Sequence, residues 1–227
     1  MKHPIHSVLF DLDGTLLDTA PDLAFALNSV LIEQQREPLL FEQIRPWVSW
    51  GARVLIKQGF NFTADNDPQL EPLRLRLLEI YANNLARETS LFPGMEEVLQ
   101  TLEGWGISWG IVTNKPAWLT NPLLEQLGLA TRSVCNVSGD TLPQSKPHPA
   151  PLLYACQMAQ CKPAHSLYVG DALRDVEAGQ RAGMRTVVAL YGYINPAERP
   201  LTWGATGVIK QPLELINWIS EMGLPNR

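Results

Sequence analysis

Asp11 and Asp13 flank a single leucine, and Gly14 follows them directly. Residues 8–10, Val-Leu-Phe, form an apolar run too short for a helix and bounded by polar residues, which predicts a fully buried strand. In an extended chain, positions i and i+2 project to the same side, so both carboxylates point together from the end of that strand. Gly14 permits the sharp turn that must follow. Two like charges this close repel unless something positive lies between them. A divalent cation answers that need, and oxygen ligands beside a bound phosphate suit magnesium. An Asp- and Gly-rich turn after a strand accounts for the same residues taken alone.

Such a pair needs a frame to hold it. The chain has 227 residues, 45% of them hydrophobic and 18% charged, enough for one substantial domain plus a smaller one. A net charge of -5 lacks the electrostatic footprint of a nucleic-acid partner. Cys135, Cys156 and Cys161 show no Cys-x-x-Cys spacing, and an odd number without a framework predicts a reducing compartment. No apolar run approaches membrane-spanning length. The expectation is a soluble, cytoplasmic protein with no membrane partner; its oligomeric state is not legible.

Two patterns divide the chain. Thr19 is placed as a helix N-cap, with Pro21 in the first turn and Asp22 three residues after the cap. Leu23, Leu27, Val30 and Leu31 then recur at helical spacing. Residues 41–47 predict a short helix broken at Pro46, 49–51 a turn, 52–58 a short helix and 60–68 a loop. Leu70, Leu73, Leu77, Tyr81 and Leu85 mark a longer amphipathic helix. No strand is expected in this stretch. After Phe92-Pro93-Gly94, strands at 107–112, 134–137, 167–169, 186–190 and 207–210 alternate with helices at 95–103, 118–127, 151–160, 176–182 and 213–222. That alternation is the sign of a parallel sheet with crossover helices. The expected organisation is an α/β core from 1–17 and 92–227, with a helical cap at 18–91 and hinges near 16–19 and 91–94. One mixed domain with no mobile part is the alternative.

Ligands of open parallel sheets bind beyond the carboxyl ends of the strands. Four such ends carry polar groups: Asp11 and Asp13; Thr113 and Asn114; the loop Ser145-Lys146-Pro147; and Gly170-Asp171, with Asp175 four residues on. In this order, and over essentially the whole chain, they match the four motifs of the haloacid dehalogenase (HAD) superfamily of phosphatases, which the sequence resembles. The resemblance implies a Rossmann-like core with an inserted cap. It also implies a magnesium-dependent phosphomonoesterase acting on a small phosphorylated metabolite through an aspartyl-phosphate intermediate.

The roles it implies make physical sense. An anionic nucleophile approaching a phosphate dianion is repelled by roughly 4 kcal/mol per charge pair at about 4 Å and an effective dielectric near 20. Magnesium and Lys146 would offset this. Asp11 would be the nucleophile. Asp13 would be the acid for the leaving oxygen and then the base for water, so the two environments must push their pKa values apart. Asp171, an Asp11 oxygen and the Asp13 backbone carbonyl would hold the metal. Asp175 is a further ligand, an acceptor orienting the others, or a first-turn acid suited to the helix dipole. Thr113 hydroxyl and Asn114 N–H would hold phosphoryl oxygens. Arg53 either reaches a substrate carboxylate or sugar oxygen or is a solvated helix arginine. Lys115 and Arg174 would flank the entrance; His148 either touches its rim or is structural. Trp105, Trp109 and Trp218 are expected in the core, with Trp47, Trp50 and Trp203 over a pocket.

Within the family, Val112-Thr113-Asn114-Lys115-Pro116, the run 145–149 and Tyr191-Gly192-Tyr193 resemble the phosphoglycolate phosphatase group. Ser49-Trp50-Gly51-Ala52-Arg53, Tyr191-Gly192-Tyr193-Ile194 and Trp203-Gly204-Ala205 are closer to the bacterial N-acetylmuramic acid 6-phosphate phosphatases. The other readings are a phosphosugar mutase, a haloacid dehalogenase and a non-catalytic regulator that binds a phosphorylated ligand. Asp13 argues against the dehalogenase. Retention of Asp11, Asp13 and Lys146 argues against the regulator.

Overall fold

The computed structural model describes residues 4–223. His3 and the outer ends of the expected core, 1–3 and 224–227, lie outside the described residues. Strand β1 (Ser7–Phe10) is buried along its whole length. It runs between β4 (Ser108–Val112) and β6 (Ser166–Gly170), parallel to both, with Phe10 opposite Ile111 and Val169. Beyond them lie β5 (Asn136–Val137), β7 (Arg185–Ala189) and β8 (Gly207–Ile209), giving the order β5-β4-β1-β6-β7-β8, parallel throughout. Helices α5 (Met95–Gly104), α6 (Ala117–Gln126), α7 (Ala150–Met158), α8 (Leu173–Arg181) and α9 (Glu214–Met222) accompany these strands. Central strands covered on both faces read as continuous apolar runs, which is why 8–10 and 167–169 were legible.

Between β1 and α5 stand α1 (Ala20–Glu33), α2 (Phe41–Ile44), a 3₁₀ turn (Arg45–Trp50), α3 (Ala52–Phe60) and α4 (Leu70–Ala82). Helices α1, α3 and α4 pack on one another through Leu27, Val30, Leu55, Leu73 and Leu77, all buried. The expected turn at 49–51 is absorbed into the 3₁₀ segment, because Pro46 removes one helical donor without stopping the coil. The helix expected to reach Leu85 stops at Ala82. Helix α8 begins at Leu173, three residues earlier than its apolar pattern, and so includes Asp175.

One element was not anticipated. Leu17–Asp18 (β2) and Ser90–Leu91 (β3) form a short antiparallel ribbon, with Leu17 opposite Leu91, at both ends of the helical insertion. Two-residue strands carry no periodicity, so the pairing is a tertiary outcome. Asp22 fastens this ribbon. Fully buried, it accepts from Glu88 N–H (3.0 Å), Thr89 N–H (3.0 Å) and Thr89 Oγ1 (2.7 Å). Its place three residues after the expected cap is thus put to a tertiary use, and no Thr19 side-chain cap accompanies it. Asp22→Ala strands these donors and is expected to cost roughly 2–4 kcal/mol. In a chain of this size that is a Tm lower by about 5–15 °C, measurable by thermal denaturation.

Candidate active site

Strand order reverses beside β1: the chain goes from β1 to β4 on one side and later returns to β6 on the other. The crevice at such a switch point is where open α/β sheets bind ligands. It receives Asp11 from β1, Thr113 from β4 and Asp171 from β6. Lys146 arrives on the loop between β5 and α7, held by Asn114. The Asn114 amide donates to the Lys146 carbonyl (2.9 Å) and accepts from the Lys146 N–H (3.0 Å). The Asn114 side chain thus positions the lysine, a role its spacing did not reveal. Lys146 Nζ lies 2.8 Å from Asp11 Oδ1 and 2.8 Å from Asp175 Oδ1. It also donates to Tyr168 Oη (2.7 Å) and faces the Val112 carbonyl at 3.0 Å, while Tyr168 Oη donates to that same carbonyl (2.7 Å). Lys146 is buried and is not among the residues lining the cavity described below; the charged groups it meets are Asp11 and Asp175.

Oxygens of Asp11, Asp171 and Asp175 lie within 4.8 Å of one another. Asp171 Oδ2 accepts from Tyr193 N–H and Ser49 Oγ, both at 2.8 Å. Its other oxygen is buried with no hydrogen-bond partner. A buried acceptor left open costs about 1–3 kcal/mol, and a cation would relieve it. Asp175 Oδ2 accepts from the Ala172 N–H (3.0 Å), so this residue serves its helix start and the cluster together. Space is tight: a Cβ on Gly14 would lie 2.2 Å from Asp171 Oδ2, and Gly14 has φ +83°. Arg174 is half-buried beside the cluster and donates to the Ser49 carbonyl (2.7 Å). Burial alone would lower its pKa, but Asp175, Asp11 and Asp171 together raise it.

Three ionised carboxylates against Lys146 and Arg174 leave one formal negative charge in excess. An all-oxygen donor set with an open buried acceptor and this excess charge fits a hard divalent cation such as magnesium. The Asp13 side chain is not part of the cluster; the ligand expected from that residue is its backbone carbonyl.

Without metal, burial pushes the Asp11 carboxyl up to about 6 against the pull of Lys146, and Asp175 raises it further. Burial likewise pushes Asp171 up to about 7, helped by Asp11 and Asp175. The folded metal-free chain therefore holds protons there more tightly than the unfolded chain. Their contribution to stability is full below the ordinary carboxylate value of 3.8 and is lost as pH rises through about 6 to 7. Metal-free Tm is expected to fall by at least about 3 °C from this source between about pH 5 and pH 8. Added magnesium should recover the loss at the upper end only, and Asp171→Asn should flatten the profile.

Asp13 sits in different surroundings. Its Oδ1 accepts from Thr19 Oγ1 (2.6 Å) and Lys115 Nζ (3.0 Å). Thr19 begins α1 as expected, yet its hydroxyl makes no cap; the Ala20 N–H is met instead by Tyr193 Oη at 2.9 Å. Lys115 is buried, not at an entrance, and donates to Tyr81 Oη of α4 (2.8 Å). Burial opposes its charge, while Asp13 and Tyr81 raise its pKa.

A cavity of about 380 Å³ opens between the helical insertion and the sheet edge. Asp11, Asp13, Thr113, Lys115 and Arg174 form its floor; Trp50, Arg53, Arg74, Leu78 and Tyr81 form its roof. Arg53 lines it, with its guanidinium hydrogen-bonded to the Asp65 carbonyl. Trp50 lines it too, half exposed, whereas Trp47 packs against the core. Trp109 is buried in the core, and Trp105 and Trp218, partly buried, pack against that core. His148 Nδ1 accepts from Ala150 N–H (3.1 Å), a structural use. Arg45 clamps the roof to the floor, donating to the carbonyls of Tyr191 (2.8 Å) and Gly192 (3.0 Å).

Residues 8–189 match the model of the haloacid dehalogenase-like hydrolase family. The chain belongs to that family. Among relatives of this hydrolase, the N-acetylmuramic acid 6-phosphate phosphatase of Pseudomonas putida is 44% identical, over 93% of this chain and 94% of that protein. The phosphoglycolate phosphatase of Xanthomonas campestris pv. campestris is 41% identical, over 95% and 96%. The crystal structure of a predicted phosphoglycolate phosphatase from Haemophilus somnus superposes with a TM-score of 0.82 at 27% identity, covering 94% of this chain and 97% of that one. The hydrolase is accordingly an enzyme of the phosphoric monoester hydrolase class with a Rossmann-like core. Among its described residues, no helix is long and apolar enough to cross a membrane.

Sequence reasoning missed Tyr81, Tyr168, Ser49, Arg45 and Arg74 of this hydrolase. Tyr81, Arg74 and Tyr168 sit at ordinary helical or strand spacing and Arg45 in a 3₁₀ turn, so nothing marked their roles, while Ser49 was visible only as part of the run 49–53. Lys115 and Arg174 were noticed only as neighbours of motifs; their adjacency to Asn114 and Asp171 was the available signal.

Proposed function

We propose that the enzyme hydrolyses N-acetylmuramic acid 6-phosphate, attacking phosphorus with Asp11 and passing through an aspartyl-phosphate. The observation that carries the mechanism is the single ammonium of Lys146 at 2.8 Å from both Asp11 and Asp175, with Asp171 alongside. That arrangement favours an ionised Asp11 against the burial that would protonate it. Asp11, Asp171 and the Asp13 carbonyl would hold magnesium, with Asp175 orienting the lysine and offering a further oxygen to the set. Bound there, magnesium supplies charge neutralisation for the phosphoryl oxygens and the nucleophile. Asp13 gives a proton to the departing sugar oxygen and takes one from the attacking water. Lys115 and Thr19 hold its carboxyl in place. Thr113 and the Asn114 N–H orient phosphoryl oxygens. Residues 18–91 act as a cap on a core of 1–17 and 92–227, and the β2–β3 ribbon is its hinge. The closed cap excludes water until the ester is broken.

Three observations favour the amino-sugar phosphate. The relatives at 44% and 40% identity carry that name. A cavity of about 380 Å³ suits a phosphorylated sugar, and a two-carbon acid would leave most of it unfilled. Arg53 and Arg74 on its roof offer partners for the sugar's lactyl carboxylate. The second reading, 2-phosphoglycolate, rests on the phosphoglycolate phosphatase relatives at 41% identity. Phosphatase relatives favour hydrolysis over the mutase and regulator alternatives. With magnesium present, phosphate release from the two substrates side by side is expected to give a kcat/KM at least about 100-fold higher for the amino-sugar phosphate. A reversed ratio would transfer the assignment to 2-phosphoglycolate.

A further inference from the structure

Away from the active site, at the opposite end of β6, two sulfurs lie close together. Cys156, near the end of α7, and Cys161, in the loop leading to β6, place their Sγ atoms 3.1 Å apart. Ser166, the first residue of β6, sits at 3.3 Å from Cys161 Sγ and 3.6 Å from Cys156 Sγ and donates to the Lys162 carbonyl. Cys156 is buried, while Cys161 is half-buried and lines a surface cavity of about 290 Å³ with His6, Lys162 and His165. Cys161 thus reaches a surface cavity that it shares with basic side chains, and the buried Cys156 stands next to it. Nothing in the phosphatase chemistry uses either.

We propose that Cys156 and Cys161 form a reversible oxidation site for small hydroperoxides, Cys161 reacting first and Cys156 resolving it to an intramolecular disulfide. The Cys161 thiolate, its proton given to solvent, attacks the distal oxygen of the hydroperoxide. The O–O bond breaks, the alkoxide or hydroxide leaves and takes a proton, and Cys161 becomes a sulfenic acid. Cys156 sulfur then attacks that sulfur and expels hydroxide, which leaves as water with the Cys156 proton. Two thiols and one hydroperoxide give one disulfide, one alcohol or water, and one water. The hydrogen bond between the two sulfurs, at 3.1 Å, pulls the Cys161 thiol below its ordinary value and drives Cys156 up. Sensor cysteines share these traits: a stabilised thiolate, solvent access and a resolving partner. The sulfurs need only a small approach to reach the bonding distance of about 2.05 Å.

The test exposes the reduced full-length enzyme to hydrogen peroxide and counts thiols after denaturation. The chain has three cysteines, so the count is expected to fall from three to one and to return to three with dithiothreitol. Cys135→Ser should fall from two to none, and the oxidised chain should remain monomer-sized on a non-reducing gel. Cys156→Ser should stop at a sulfenic acid that dimedone traps on Cys161. Cys161→Ser should keep both of its thiols, with phosphatase turnover equal to that of the reduced parent. An unchanged count in the parent enzyme, loss of oxidation in Cys135→Ser, or a disulfide between chains would overturn the proposal. The parent count alone decides it should a variant fail to fold.

Discussion

Asp11→Asn is expected to lower kcat by roughly 10⁵-fold or more while leaving a folded protein. An amide nitrogen is not a nucleophile toward phosphorus, and the substitution also removes the negative charge at the end of β1. The fold should survive because the Asn Oδ1 can still accept the Leu12 N–H, now held at 2.8 Å by the carboxylate. Burial of an ionised Asp11 is itself unfavourable, so losing its charge should not lower Tm, and Lys146 keeps Asp175 as a partner. Single-turnover assays of phosphate release with thermal denaturation on the same sample check both halves. Residual turnover above about a hundredth of wild type would remove Asp11 from the nucleophile role.

Lys146→Met is expected to damage activity and stability together. Its ammonium is the group shared by Asp11 and Asp175, and all three are buried. Removing one partner of a buried ion pair leaves an uncompensated charge and typically costs about 3–5 kcal/mol. In a chain of this length that corresponds to a Tm lower by about 6–20 °C. The Tyr168 hydroxyl also loses its lysine donor but keeps its own bond to the Val112 carbonyl. Turnover should fall by about 10³-fold or more, because the charge balancing the nucleophile is gone. Magnesium should recover part of the lost Tm by neutralising the same carboxylates. The double variant Asp11→Asn, Lys146→Met should lose less Tm than the sum of the singles, since the two act on one interaction. Strict additivity in denaturant unfolding would contradict the coupling.

These two residues also show how far the sequence reached. Asp11 could be found from an apolar run, a period of two and a glycine. Strands covered on both faces must be written as apolar runs, and a turn at the edge of a sheet must use Gly or Asp; both constraints leave local traces. The order of polar strand ends and the division into a helical and an alternating segment are equally local, and the α/β core followed from them. Asp13, Thr113 and Asp171 stood at strand ends for the same reason, whereas Lys146, in a loop, was marked by the resemblance of its motif to the haloacid dehalogenase family.

The partners of those residues left no such trace. That Asn114 holds the lysine by its backbone, that Tyr81 reaches Lys115, and that Thr19 serves Asp13 rather than its own helix all depend on segments far apart in the chain. The β2–β3 ribbon is the same case: two residues per strand have no period to read, and the pairing exists only once Asp22 has gathered 88–89 to α1. The sequence by itself determined which residues could do chemistry and the order in which strands would deliver them, because periodicity and turn chemistry act over a few residues. Only the tertiary structure decided which charges meet, which oxygen stays open and what shape the cavity takes, because those are set by contacts whose energy does not depend on separation along the chain.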